Sequence, residues 1–194
     1  GNQAGEYAGL IPVVGNTANI TNLTIANSVI NANNGAAGAV AGSIADKCAK
    51  VVKFSGVKVE DSVKFEGRAI FGGIIGKVGY SVLKMSDCIS KTNGLFHSAT
   101  GEAQVSRCVS VGAYPFAETQ NIKAENVYTD ASGDLTGVTV VPSDAMLGAG
   151  AASAMPGLNF PISWKTTSSY PEPTGQAASS EGTVGQAWSG AIAT

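Results

Sequence analysis

The feature that most constrains the fold of this chain is an internal repeat. Five segments share a polar or glycine residue, then an apolar residue or cysteine, then a short alternating run: NLTIANSV, GVKVEDSV, DCISKTNG, RCVSVGAY and NVYTDASG. Their second residues, called here the Leu23 column, are Leu23, Val57, Cys88, Cys108 and Val127, at steps of 34, 31, 20 and 19 residues. A repeat of this size predicts stacked units, because one unit cannot bury its own apolar face.

Two further sets of positions keep the same spacing. Two residues after each member of the Leu23 column lie Ile25, Val59, Ser90, Ser110 and Thr129, called here the Ile25 column. Three residues before each member lie Ile20, Phe54, Met85, Val105 and Ala124, called here the Phe54 column, which is apolar throughout. Alternate residues of a strand point to opposite faces, so such runs predict strands with one apolar face.

A glycine-rich series lies between these segments. AGLIPVVG at 8–15, AGAVAGSI at 37–44 and GGIIGKVG at 72–79 resemble one another, and shorter forms follow as GLFHS at 94–98 and GAYPFA at 112–117. The third member is not a phosphate-binding loop, because only three residues separate Gly72 from Gly76 and Val78 follows Lys77 where a hydroxyl is required. The series predicts tight turns or close backbone contacts instead.

Together these patterns predict an all-β chain, namely a β-solenoid in which equivalent residues form columns along one axis. The alternative is a β-sandwich, which also contains many short strands but need not repeat one apolar and glycine pattern. The unequal repeat lengths predict that extra residues, such as 61–69, loop out.

Three regions follow from this interpretation. Residues 1–134 form the solenoid. Residues 135–173 form a capping segment, with a strand at VTVV and a short helix over about 144–149 that Ser143 caps. Residues 174–194 are rich in Gly, Ala and Ser and form a tail or a final strand around Trp188.

Composition excludes several classes of function. Charged residues make up only 13% of the 194 residues and the net charge is −2, so there is no electrostatic basis for binding nucleic acid or an anionic membrane. No apolar run is long enough for a transmembrane helix. The three cysteines form neither a disulfide framework nor a metal or redox pair. We expect Cys88 and Cys108 to stack as reduced thiols in the core, apart from Cys48.

Candidate catalytic groups are sparse. His97 is the single histidine and is expected to be a solvated loop residue, while Ser98 and Ser110 are expected to be ordinary polar residues near turns. The densest acidic group, Glu60, Asp61 and Glu66, is interleaved with Lys58, Lys64 and Arg68, which is typical of a solvated surface. We expect no catalytic, cofactor or metal site, calcium included. The aromatic residues that could stack on sugars are expected to fill the core or cap; they are Tyr114, Phe116, Tyr128, Trp164 and Tyr170.

The segments GLIPVVG, NLTIANSVI and AGAVAG resemble the GLUG-motif repeats of bacterial surface and secreted proteins. The resemblance covers roughly residues 5–130, and AMPGLNFPISWKTTSSYPEP at 154–173 is similar to the closing segment of such arrays. It departs from the family in its long second repeat and in the reduced glycine segments of the fourth and fifth. The resemblance implies a right-handed parallel β-helix on an extracellular or cell-surface protein.

The function expected from these observations is structural. The chain is expected to be a non-catalytic, adhesin-like display domain, with loops 61–69 and 94–103 available to glycans or to proteins of a host or cell surface. The alternative is a carbohydrate-binding or polysaccharide-degrading β-helix, which should gather carboxylates and basic residues in a groove on one face.

Overall fold

The protein is an all-β chain of short strands. The computed structural model describes residues 7–15, 17–44, 51–118 and 120–175. Its strands are β1 Tyr7–Ala8, β2 Ile11–Val14, β3 Asn19–Thr21, β4 Thr24–Ile25, β5 Val29–Ala32, β6 Ala36–Gly38, β7 Ala41–Ile44, β8 Val51–Ser55, β9 Lys58–Val59, β10 Lys64–Gly67, β11 Ile70–Gly72, β12 Ile75–Val78, β13 Val82–Ser86, β14 Ile89–Ser90, β15 Phe96–Ala99, β16 Ala103–Ser106, β17 Val109–Ser110, β18 Ile122–Glu125, β19 Val127–Thr129, β20 Val138–Val140, β21 Trp164–Lys165 and β22 Glu172–Pro173. The α-helix in this part of the chain, α1, spans Ala151–Ala154 between the 3₁₀ turns Gly148–Gly150 and Pro156–Leu158.

Strands from successive passes of the chain pair in parallel. Strands β1–β5 make the first pass, β6–β10 the second, β11–β14 the third, β15–β17 the fourth and β18–β19 the fifth. Sheet A is β1-β6-β11, sheet B is β2-β7-β12-β15, sheet C is β3-β8-β13-β16-β18, sheet D is β4-β9-β14-β17-β19-β20 and sheet E is β5-β10. All of these pairings are parallel, and only β21 and β22 pair antiparallel among the described strands. The all-β prediction is therefore confirmed, and the stacking of parallel strands is compatible with a β-helix.

The structure confirms the three predicted columns. The Phe54 column is a continuous line of paired residues across sheet C, and the Ile25 column is one across sheet D. Members of the Leu23 column accept successive hydrogen bonds: the Lys58 amide donates to the Leu23 carbonyl, at 2.8 Å, and the Ile89 amide to the Val57 carbonyl, at 2.9 Å. Equivalent residues of successive repeats therefore lie next to one another.

The residue before each member of the Leu23 column forms a corner between sheets C and D. These corner residues are Asn22, Gly56, Asp87, Arg107 and Asn126, and all have positive φ, between 50° and 66°. Glycine adopts this left-handed conformation readily, and asparagine and aspartate adopt it more often than other residues with a side chain. The polar or glycine residue that opens each repeat segment is thus explained by a backbone corner, with Arg107 the costliest member.

The glycine-rich series also recurs in space, but the expected alignment of its third member was wrong by one residue. Gly38 pairs with Gly72 rather than with Gly73. Sheets A and B approach closely here, since a Cβ added to Gly38 would lie 2.5 Å from the Ala41 oxygen and 2.6 Å from the Gly76 nitrogen. The close contact between the sheets therefore determines which positions must be glycine, and these positions fix the register. Similarity of the sequence segments alone does not identify them.

Residues 61–69 were expected to loop out, and this prediction was wrong. Strand β10 spans Lys64–Gly67 and pairs in parallel with β5. Phe65 packs on Phe71 with ring centroids 5.4 Å apart, so part of this stretch is anchored to the stack. The steps of 34 and 31 residues contain strands of sheets E and A, whereas the steps of 20 and 19 contain none. The expected loop 94–103 was also wrong, because it contains β15 and the start of β16.

The core lies between the sheets and holds both stacked thiols. Cys88 and Cys108 are free and fully buried. Each thiol donates to a nearby backbone carbonyl, Cys88 to Ser86 at 3.1 Å and Cys108 to Ser106 at 3.2 Å. Burial raises the pKa of the Cys108 thiol well above its usual value. Cys48 lies outside the described residues.

The segment that follows the stack packs on the outward face of sheet D. Met146, Leu158 and Trp164 form a second buried cluster with Ile89 and Val109. The strand expected at VTVV is confirmed as β20. The helix expected over 144–149 was wrong, since α1 spans Ala151–Ala154. The Ser143 hydroxyl does not cap it and instead donates to Asp130 Oδ2 at 2.8 Å. Most of 174–194, including Trp188, lies outside the described residues.

Candidate functional site

A groove of about 830 Å³ runs across the outward side of sheet C. It crosses all five strands of that sheet, from β3 in the first pass to β18 in the fifth, and Arg107 and Gly175 lie at its margin. Strand alternation creates it: the residues of the Phe54 column face the core, so their neighbours on each strand must face outward. The groove is therefore built by the repeat itself rather than by loops.

Two rows of outward side chains line the groove. The first, called here the lysine row, is Asn19, Lys53, Lys84, Gln104 and Lys123, each paired with the next across sheet C. The second, called here the hydroxyl row, is Thr21, Ser55, Ser86, Ser106 and Glu125, in the same register. Neighbouring strands lie about 4.8 Å apart, so each row presents one polar group about every 4.8 Å.

The part of the lysine row that lies on β8 and β13 carries two lysines, Lys53 and Lys84. Within the described residues, neither Lys53 nor Lys84 forms a salt bridge, and both are exposed. Like charges directly opposite on neighbouring strands are unfavourable, so this pair of lysines is locally destabilising. Beside them the Ser86 hydroxyl donates to Ser55 Oγ at 3.3 Å.

The part of the lysine row that lies in the fourth and fifth passes is neutralised. Lys123 Nζ lies 2.9 Å from Glu102 Oε1, and Gln104 Nε2 donates to the same oxygen at 2.9 Å. The hydrogen bond from Lys123 is the main cause of the lowered pKa of Glu102, and the hydrogen bond from Gln104 lowers it further. The positive end of the groove is therefore the part built from the first three passes.

An ion pair between the partly exposed Arg107 and the buried Asp87 lies at one margin of the groove. Arg107 donates two hydrogen bonds to Asp87, at 2.9 and 2.8 Å, and the Trp164 indole donates to Asp87 Oδ1 at 3.2 Å. Asp87 is only 2% exposed. The hydrogen bond to Asp87 raises the pKa of Arg107 above its usual value, against the opposing effect of burial. The triad links two passes to the C-terminal segment.

The predicted acidic group does not form a site with two facing carboxylates. Glu60 pairs with Lys58 and Lys91, each at 2.8 Å, and Lys58 also pairs with Glu172 at 2.8 Å. Asp61 lies exposed in a turn and Glu66 is exposed on β10. Burial raises the pKa of Glu60, but the hydrogen bonds from Lys58 and Lys91 outweigh it and the pKa is lowered. Glu60 therefore links the second and third passes, and its carboxylate pairs with two lysine ammonium groups.

His97 is not the solvated loop residue that was expected. It lies in strand β15, half-buried, and its Nδ1 is buried without a hydrogen-bond partner. Ser98 and Ser110 are buried strand residues rather than turn residues, and the Ser110 hydroxyl donates to the Ala113 carbonyl at 2.6 Å. The hydrogen-bonding capacity of the Ser110 hydroxyl is thus used by a backbone carbonyl. Within the described chain, no hydrogen bond links Ser110 to His97.

The aromatic side chains mostly fill the interior, as expected. Phe116, Tyr128 and Trp164 are buried, whereas Tyr114 and Tyr170 are half-buried. No aromatic residue occupies an outward position of the lysine row or the hydroxyl row. Within the described residues, the two rows therefore offer charge and hydrogen bonds but no ring for stacking.

Among the described residues there is no group of three or more His, Cys, Asp or Glu side chains arranged to hold a metal ion. The same part of the chain contains no helix with the length and apolar character needed to cross a membrane.

Comparison with known proteins gave no match to any family model, any curated protein or any solved structure. The groove lysines were not among the residues singled out from the sequence. A signal for them existed, because Lys53, Lys84 and Lys123 each directly precede a member of the Phe54 column and so must face outward.

Proposed function

We propose that this chain is a right-handed parallel β-helix of the GLUG-repeat kind, and that it serves as a non-catalytic, adhesin-like display domain outside the cell. The observation that carries the proposal is the alignment of three columns through five passes, which gives a stiff stack with a continuous outward face. Repeat stacks of this type present extended binding surfaces.

The contact surface in this proposal is the groove on sheet C. The loops first expected to make contacts contain strands, whereas the groove exposes two parallel rows of polar groups at fixed spacing. Because the rows lie on a hydrogen-bonded sheet, a ligand meets side chains whose backbone is already ordered, and binding costs less conformational entropy. An extended partner from a cell or host surface fits this shape best.

A second candidate function, carbohydrate binding, is favoured by one specific observation. Lys53 and Lys84 lie opposite each other, unpaired within the described residues, beside the Ser55 and Ser86 hydroxyls. An acidic polysaccharide would neutralise the two ammonium groups with its carboxylates and hydrogen-bond to the hydroxyls with its sugars. Single-stranded nucleic acid fits less well, because such sites stack bases on aromatic rings.

The experiment that tests both functions is binding of the purified chain to an array of acidic and neutral glycans, with an assay for released reducing ends. Display without catalysis predicts no release of reducing ends. Acidic-glycan binding predicts capture by uronic-acid polymers that falls at least about tenfold in Lys53→Glu/Lys84→Glu. Lys64→Glu, on sheet E, is the control and should bind as the wild type does. Release of reducing ends would contradict a non-catalytic function. Equal binding by both variants would show that the groove on sheet C is not the glycan-binding surface.

A further inference from the structure

The uncompensated positive charge of the groove lies on two adjacent passes. Lys53 on β8 pairs in register with Lys84 on β13, and both are exposed and form no salt bridge with any described residue. Their neighbours in the lysine row are uncharged, since Asn19 pairs with Lys53 and Gln104 pairs with Lys84. Lys53 and Lys84, called here the lysine pair, therefore form a positive patch about one strand spacing, about 4.8 Å, in length.

The far end of the groove carries the opposite charge. Lys123 in the fifth pass is paired with Glu102, and Arg107 at the margin is paired with the buried Asp87. Glu125, the last member of the hydroxyl row, is exposed and forms no salt bridge within the described chain. The charge along the groove therefore changes from positive in the second and third passes to negative in the fifth.

The spacing of the lysine pair distinguishes between extended anionic partners. An acidic peptide in a strand conformation presents the side chains of one face about 6.6 Å apart, because it rises about 3.3 Å per residue and its side chains alternate. A chain of six-membered sugar rings advances by a shorter step that is close to the strand spacing, so adjacent sugars can each lie over one strand. Ser55 and Ser86 lie beside the lysine pair and offer a hydroxyl on each of these strands.

We propose that the groove binds an acidic polysaccharide lengthwise, across the strands, and recognises two acidic sugars in consecutive positions. The proposal rests on the carbohydrate-binding function given above and adds the arrangement of the acidic groups. The carboxylate of one sugar pairs with Lys53 and that of the next sugar pairs with Lys84, while Ser55 and Ser86 hydrogen-bond to sugar hydroxyls. A further carboxylate that reached the fifth pass would face Glu125 and weaken binding.

Titration of the full chain with two defined oligosaccharides at low ionic strength tests this arrangement. A short oligogalacturonate carries carboxylates on consecutive sugars. A hyaluronan oligosaccharide with the same number of carboxylates alternates them with neutral sugars, so it cannot place two on adjacent strands. The wild type should bind the oligogalacturonate at least about threefold more tightly, which is the effect of one further exposed ion pair.

Three variants show whether the lysine pair causes this preference. Lys84→Gln should bring the ratio of the two dissociation constants close to one, because a single lysine cannot detect adjacent carboxylates. Lys64→Gln, an exposed lysine on sheet E, is the control and should keep the wild-type ratio. Glu125→Gln should tighten binding of an oligogalacturonate long enough to reach the fifth pass. Circular dichroism of all three should match the wild type, because each substituted side chain is exposed.

The outcomes separate this proposal from the function on which it rests. Equal binding of the two oligosaccharides by the wild type would overturn the consecutive arrangement and leave acidic-glycan binding intact. A preference that persists in Lys84→Gln would also overturn it. Binding of neither oligosaccharide would overturn both the arrangement and the carbohydrate-binding function. An oligoglutamate that binds more tightly than the oligogalacturonate would overturn both as well and would assign the groove to an acidic protein segment.

Discussion

At the scale of single residues, the structure explains why certain polar side chains interrupt an apolar repeat. Asp87 occupies a corner position, where its carboxylate receives Arg107 from the next pass and Trp164 from the C-terminal segment. Removing one partner of a buried pair leaves the other charge without compensation. The pair thus makes the position intolerant of change, although its net contribution relative to apolar residues is small.

The first prediction concerns this pair. Arg107→Ala should lower the free energy of unfolding by about 2–3 kcal/mol, because Asp87 would stay buried with only the indole as a donor. Urea unfolding measures the loss. Lys123→Ala, which breaks an exposed pair with Glu102, is the control and should cost much less, because solvent screens exposed ion pairs. Equal losses in the two variants would show that the Asp87 carboxylate is not buried as described.

The second prediction concerns the stacked thiols. In a Cys48→Ser background, Cys88 and Cys108 should not react with a thiol reagent in the folded protein at pH 8 or 9, because both are buried and burial raises the pKa of Cys108. Both should react in concentrated urea, as mass spectrometry would show. Rapid labelling of the folded protein, or a disulfide between the two, would contradict the stacked arrangement.

At the scale of elements, the close contact between sheets A and B depends on glycine. A Cβ on Gly76 would lie 2.5 Å from the Gly42 oxygen and 2.6 Å from the Ala37 nitrogen. Both neighbours are backbone atoms in paired strands, so they cannot move away without disturbing the sheets. Position 76, within strand β12, therefore requires glycine for space rather than for its dihedral angles.

The third prediction follows from that contact. Gly76→Ala should destabilise the protein by at least about 1–3 kcal/mol through overpacking. Gly150→Ala is the matched control, because nothing lies within 4 Å of the added Cβ. That variant should be neutral or slightly stabilising, since it restricts the unfolded chain. The midpoints of urea unfolding of the two variants measure the difference. A Gly76→Ala variant as stable as the wild type would contradict the close packing of sheets A and B.

Much of the element pattern could be predicted from the sequence, and the failures have physical causes. The columns were predictable because stacking requires matched residues at Leu23, Val57 and their equivalents. Strand β10 was missed because its charged residues read as a solvated loop, although Phe65 anchors it. The position of α1 was missed because a four-residue helix depends on tertiary packing more than on its own sequence. The lysine row emerges only when residues far apart in sequence are aligned.

At the scale of the whole molecule, ion pairs tie the passes to the C-terminal segment. Lys58 on β9 contacts both Glu60 and Glu172, and Lys91 contacts Glu60. The hydrogen bond from Lys58 is the main cause of the lowered pKa of Glu172, and Glu60 is lowered as well. These carboxylates therefore bind protons less readily in the folded state than in the unfolded state.

The fourth prediction is the pH dependence of this network. Lowered folded-state pKa values mean that the stabilisation is complete above the ordinary carboxyl value of 4.5 and is lost as the pH falls through the lower folded values. Urea unfolding between pH 7 and pH 3 should show this loss. Glu60→Gln/Glu172→Gln should be less stable at pH 7 and should lose less on acidification. An unchanged acid slope would contradict the role of the network.

The central claim is that successive repeats stack in parallel with the Leu23 column in line, and scalar couplings across hydrogen bonds test it most directly. In a long-range HNCO experiment on the deuterated chain, the amides of Lys58, Ile89, Val109 and Tyr128 should couple to the carbonyls of Leu23, Val57, Cys88 and Cys108, in that order. Observing these four correlations would establish the stack. Their replacement by the reciprocal pairs of antiparallel strands, as a β-sandwich would give, would contradict it.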